Sequence, residues 1–179
     1  MATTRLLTIE DVEQSPPEGE WELIDGELIE LTPTADTSGW VSGRVFSRLE
    51  RFVDDRHLGW AFPPETGFVL FNDRATVRSP DAAFVRSDRL RTLSGGFVPL
   101  APDLAVEVLS PSDRLADALA KVKMDLDAGV LLVWLVDPLS QTVTIFRPNA
   151  TPTKLGVGDT LDGGDVLPGF TVPVAEIFG

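Results

Sequence analysis

The chain reads as one mixed α/β (α+β) domain: a central sheet with parallel and antiparallel strands, helices packed on it, and a hairpin near the N-terminus. Three observations predict this. Apolar residues recur at helical spacing in two stretches, one near 38–55 and one ending near 128. The second lies between two continuous apolar runs, 104–109 and 130–136, the pattern of a right-handed parallel crossover. Asp25-Gly26 separates Trp21-Glu22-Leu23-Ile24 from Glu27-Leu28-Ile29-Glu30-Leu31, which is a strong hairpin signal. At 179 residues the chain holds one core and is short for two, so 1–179 is expected to be a single domain.

Taken in order, Thr8-Ile9-Glu10-Asp11 has the form of a helix cap with an acid at its third position, and Pro16-Pro17 lies beyond that short helix. The hairpin follows. Val41, Val45, Phe46, Leu49, Phe52 and Val53 make one apolar helix face. Short strands are expected at 67–71, 75–78 and 82–85, then a polar, Gly-containing loop over 86–97. After the buried strand at 104–109, Ser110-Pro111-Ser112-Asp113 is expected to cap a helix whose apolar face is Leu115, Ala118, Leu119, Val122 and Leu126. Residues 142–146 alternate like a half-exposed strand, and the Gly-, Pro- and Asp-rich tail allows only short strands.

Composition narrows the function. A hydrophobic share of 43% with 24% charged residues is that of a globular protein, and no apolar run is long enough to span a bilayer. No secretion signal is read at the N-terminus, so a cytoplasmic protein is expected. With no cysteine and one histidine, His57, neither a zinc site nor a thiol nucleophile can be built. The net charge of −13 weighs against a strong nucleic-acid binder, whose contacts need a basic face, yet a bound dication would reverse the local field. Trp21 and Trp134 fall on expected strands and read as core.

The chemistry concentrates in two acids. Asp81, in Ser79-Pro80-Asp81, reads equally as a turn residue and as a ligand. Glu107 stands inside Ala105-Val106-Glu107-Val108-Leu109, where a carboxylate needs a partner or an opening. Two carboxylates at neighbouring strand ends can share a hard cation such as Mg²⁺. Lys121 and Lys123 flank the apolar face of the following helix on opposite sides, and spacing does not choose between them. Asp117 stands four residues before Lys121, so the two can pair.

Trp21 to Leu28, Pro80-Asp81, Pro102 to Ser112 with its Glu-Val-Leu-Ser-Pro-Ser, Asp117 with Lys121, Gly129-Val130, Trp134-Leu135-Val136-Asp137-Pro138 and Leu167-Pro168-Gly169-Phe170 occur in this order. Together they resemble the Uma2 family (DUF820) of restriction-endonuclease-like proteins, in the PD-(D/E)XK nuclease superfamily. The resemblance covers nearly the whole chain. It implies a restriction-endonuclease-like core and a Mg²⁺- or Mn²⁺-dependent endonuclease hydrolysing DNA. Asp81, Glu107 and the Val108 carbonyl would hold the metal, Lys121 would act at the attacking water or the phosphate, and Glu22 would support them. It also implies a homo-oligomer, with a dimer expected. The lysine usual two residues after the second acid is replaced by Leu109, and the family's common His and Tyr positions hold Ser38 and Asp125. The alternatives are a catalytically impaired nuclease-fold binding or assembly module, and a metal-dependent hydrolase of small phosphate esters, which suits the acidic chain better than duplex DNA.

Overall fold

In the computed structural model, which describes residues 6–179, the Thr8 capping box forms as expected and opens helix α1 (Ile9–Gln14). The Asp25-Gly26 turn, with both residues at positive φ, joins β1 (Trp21–Ile24) to β2 (Glu27–Glu30). Gly26 is required there for a second reason, since an added Cβ would lie 2.9 Å from the Leu6 Cβ. Helix α2 (Asp36–Asp55) follows and buries Val41, Val45, Leu49 and Val53. Next come β3 (Gly59–Phe62), β4 (Phe68–Phe71), β5 (Thr76–Arg78), β6 (Ala82–Arg86) and β7 (Leu104–Val108). Helix α3 (Leu115–Asp127) leads to β8 (Leu132–Asp137), β9 (Thr142–Phe146), β10 (Thr153–Leu155), β11 (Thr160–Gly163), β12 (Leu167–Pro173) and α4 (Ala175–Phe178).

The central sheet has the order β10-β9-β8-β7-β6-β3. Only β7 and β8 run parallel, with Glu107 opposite Leu135, and α3 is their crossover. A second sheet, β2-β1-β5-β4, carries the N-terminal hairpin, and β11 pairs with β12 alone. Strand alternation divides the core. Leu104, Val106 and Val108 face α2, where Trp134 and Phe170 pack with ring centroids 5.5 Å apart. Ala105, Val133 and Leu135 face Ala118 and Val122 of α3. By the same alternation Glu107 points to the α3 side. Among the described residues no helix is long and apolar enough to cross a membrane.

Four expectations are revised. Strand β3 was not foreseen; it is four residues long and pairs with β6 beside Gly59. Helix α3 begins at Leu115 without a side-chain cap, because Asp113 accepts the Ser110 N–H at 2.7 Å and closes a turn instead. Leu115 and Leu119, assigned to the apolar face, are 58% and 41% exposed. The buried stripe of α3 is Ala118, Val122 and Asp125, so the helix is rolled to bring a carboxylate inward. Trp134 is fully buried as expected, whereas Trp21 is only half-buried.

Candidate functional site

Arg78 ends β5 and is 1% exposed. A buried guanidinium must satisfy its N–H groups, and each edge of this one meets a different acid. Nε donates to Glu22 Oε1 of β1 at 3.1 Å, Nη2 to Glu107 Oε1 of β7 at 2.9 Å, and Nη1 to Asp125 Oδ1 of α3 at 2.8 Å. Nη1 also reaches the Lys121 carbonyl at 3.3 Å. Burial alone would lower the Arg78 pKa, but the fields of Glu107, Asp125 and Glu22 outweigh it, and the group is held charged more firmly than an ordinary arginine.

Asp81 follows β5 through Ser79-Pro80. Its N–H donates to the Val106 carbonyl at 2.9 Å and its Oδ2 accepts the Val108 N–H at 2.7 Å, which fixes the carboxylate at the end of β7. The Ser42 hydroxyl of α2 donates to the Asp81 carbonyl at 3.1 Å. Burial, then repulsion from Glu107, push the Asp81 carboxyl up to about 7, against the Val108 N–H and the Lys121 charge. Asp125 is also pushed up to about 7, by burial first, with Arg78 opposing and Glu107 and Glu22 adding repulsion. Its Oδ2 is buried without a hydrogen-bond partner among the described residues.

Lys121 resolves the choice between the two lysines in space. Its ammonium lies 3.6 Å from Glu22 Oε2, facing the acid cluster rather than pairing with Asp117. Lys123 points away and pairs with Asp127 on the exposed side of α3. Asp81, Glu107, Val108 and Lys121 line one cavity of about 480 Å³, with Glu22, Arg78 and Asp125 packed behind its wall. The position that holds Ser38 is buried, and its hydroxyl donates to the Leu109 carbonyl at 2.9 Å.

The Uma2 family profile, described as "Putative restriction endonuclease", matches residues 8–175. The chain belongs to the Uma2 family. Among solved structures, this Uma2 chain is similar to a protein from Anabaena variabilis described as "a putative nuclease belonging to DUF820". The TM-score is 0.80 at 20% identity, over 96% of this chain and 97% of that one, which establishes the shared fold. Comparison with curated proteins gives no match.

Among the described residues no group of three or more His, Cys, Asp or Glu side chains is arranged to hold a metal ion. The cavity offers Asp81 and Glu107, each with one oxygen engaged and the second without a hydrogen-bond partner among the described residues. Carboxylate oxygens are the donor chemistry that Mg²⁺ uses, an ion that takes one or two carboxylates and keeps several waters until a phosphate replaces them. The residue that sequence reasoning missed is Arg78. Its signal is indirect: Glu22 and Glu107 both stand in apolar strands, and each needs a cation that the nearby sequence does not supply.

Proposed function

We propose that the cavity is a hydrolase site of nuclease type, working with a divalent cation on small phosphate esters rather than on duplex DNA. The observation that carries this reading is that Asp81, Glu107 and Lys121, from three separate segments, line one cavity. Six carboxylates and two cations line that cavity, a balance that repels a polyanion and leaves room for one phosphate beside a dication. Asp81 and Glu107 would hold Mg²⁺ or Mn²⁺ with the Val108 carbonyl. When bound, that ion polarises the phosphate and lowers the pKa of water. Arg78 fixes the rotamer of Glu107, and the Val108 N–H fixes that of Asp81. Lys121 brings a positive charge to the oxygens of the phosphate and offsets the charge that grows there during attack.

The test sets bis(p-nitrophenyl) phosphate and mononucleotides beside plasmid DNA, with Mg²⁺ or Mn²⁺. Hydrolysis of the small esters is expected to fall about 10²-fold or more in Asp81→Ala, Glu107→Ala and Lys121→Ala. Equal residual activity in all four proteins would overturn the mechanism, and preferential plasmid cleavage would restore the endonuclease reading.

A second reading is a catalytically impaired binding module. It is supported by the internal use of the site's own charges: Glu107 is tied to Arg78, Lys121 sits on Glu22, and Asp125 adds a third acid to Arg78. Calorimetry with Mn²⁺ separates the two. Uptake at micromolar to millimolar concentration that vanishes in Glu107→Ala supports the hydrolase, and its absence supports the module.

A further inference from the structure

Two aromatic rings line the cavity. Trp21 of β1 and Phe97 of the loop before β7 both line it, both are half-buried, and their rings meet edge to face at 6.0 Å and 79°. Both rings pack against the buried cluster of Ile9, Val12, Leu23 and Val77, so the pair is held by core packing. The pair depends on Gly67, which also lines the cavity. A Cβ at Gly67 would lie 2.6 Å from Phe97 Cδ1, so only glycine leaves space for the ring. The cavity therefore combines Asp81, Glu107 and Lys121 with a supported aromatic pair.

We infer that the cavity takes a single nucleotide unit, with the base against Trp21 and Phe97 and the phosphate at the Asp81, Glu107 and Lys121 end. This rests on the reading of the cavity as a phosphate-ester site and names its substrate class. A volume of about 480 Å³ is within the range of small-molecule pockets and suits one nucleotide. A base has a π-face for the aromatic pair, and stacking of this kind is insensitive to base identity. A second phosphate gains nothing, because Glu20, Glu65, Asp113 and Asp117 also line the cavity and only Arg114 and Lys121 oppose them.

The test is calorimetry on the full chain in Mg²⁺ with three probes: dAMP, deoxyribose 5-phosphate and a 20-base-pair duplex. The nucleotide is expected to bind at least about tenfold tighter than the sugar phosphate, and tighter than the duplex. Trp21→Ala and Phe97→Ala should weaken dAMP by about 5- to 100-fold and leave deoxyribose 5-phosphate unchanged. Both rings also pack on the core, so Gly67→Ala provides a variant that displaces the Phe97 ring without removing any side chain, and thermal melts confirm folding. Equal affinity for dAMP and deoxyribose 5-phosphate, or dAMP affinity unchanged in all three variants, overturns the base site and leaves the phosphate reading standing. Duplex binding tighter than dAMP overturns the single-nucleotide class. Binding of none of the probes overturns both.

Discussion

Replacing Arg78 by Met tests the centre of this structure. The substitution keeps most of the buried volume and removes the cation that Glu22, Glu107 and Asp125 share at 3.1, 2.9 and 2.8 Å. Breaking a buried ion pair by deleting one partner costs about 3–5 kcal/mol, because the remaining charge stays buried without compensation. Here three carboxylates lose their partner at once, so the upper part of that range is expected near pH 8. For a chain of this length each kcal/mol moves the melting temperature by about 2–4 °C, which places the variant about 10–20 °C below wild type. The stranded acids regain stability by binding protons, so the deficit should shrink as the pH falls to 5. Urea unfolding at pH 5, 6.5 and 8 measures both effects. Lys123→Met is the control: its pair with Asp127 is exposed on α3, and its loss should cost about 0.5 kcal/mol or less. An Arg78→Met deficit no larger than the control, or one that is flat with pH, would refute the electrostatic account of the cluster.

Two further outcomes follow from the same geometry. In wild type, Asp81 and Asp125 each have an ordinary value of 3.8 and a folded value of about 7, so the folded chain holds protons that the unfolded chain has released. Their contribution is fully present below about pH 4 and is lost as the pH rises through 7, on the order of 4 kcal/mol for the deeply buried Asp125. The urea midpoint should therefore rise between pH 8 and pH 5, and a flat or falling curve would count against these shifts. Separately, a Cβ at Gly59, which has φ of 156°, would sit 2.1 Å from the Val85 carbonyl oxygen, a backbone atom held in the β3–β6 ladder. Gly59→Ala should cost about 3 kcal/mol in urea unfolding, and a change below about 0.5 kcal/mol would show that the ladder yields there without penalty.

The parts of the fold that rest on periodicity were readable from the chain. The 38–55 helix, the crossover from β7 through α3 to β8 and the Asp25-Gly26 hairpin all follow from local pattern. Strand β3 escaped because four residues beginning with glycine carry no period. The roll of α3 escaped for a different reason. Leu119 is a better apolar residue than Asp125, and only the distant Arg78 makes the carboxylate the one that turns inward. The same limit applies to the site. Asp81 and Glu107 stand out in sequence because each is polar at the edge of an apolar run. Arg78 does not stand out, since its three acid partners lie 56, 29 and 47 residues away.

Those separations also explain why the residue is an arginine. Its three partners sit on β1, β7 and α3, and Arg78 itself ends β5. Strands β1 and β5 belong to the small sheet, and β7 belongs to the large one. A planar fork with five donors on three nitrogens can address three carboxylates set around its rim, one on each nitrogen; an ammonium has three donors on a single nitrogen and would need the acids drawn in around one point. Arg78 is thus the bolt between the two sheets as well as the support for Glu107. Across the same junction, Lys121 of α3 reaches Glu22 of β1, and the Val108 N–H of the large sheet holds Asp81. The cavity is walled by both sheets, with Trp21 on the small one and Glu107 on the large one. The placement of Trp21 relative to Glu107 is therefore set by the docking of the sheets, and the buried charge cluster ties the two sheets together.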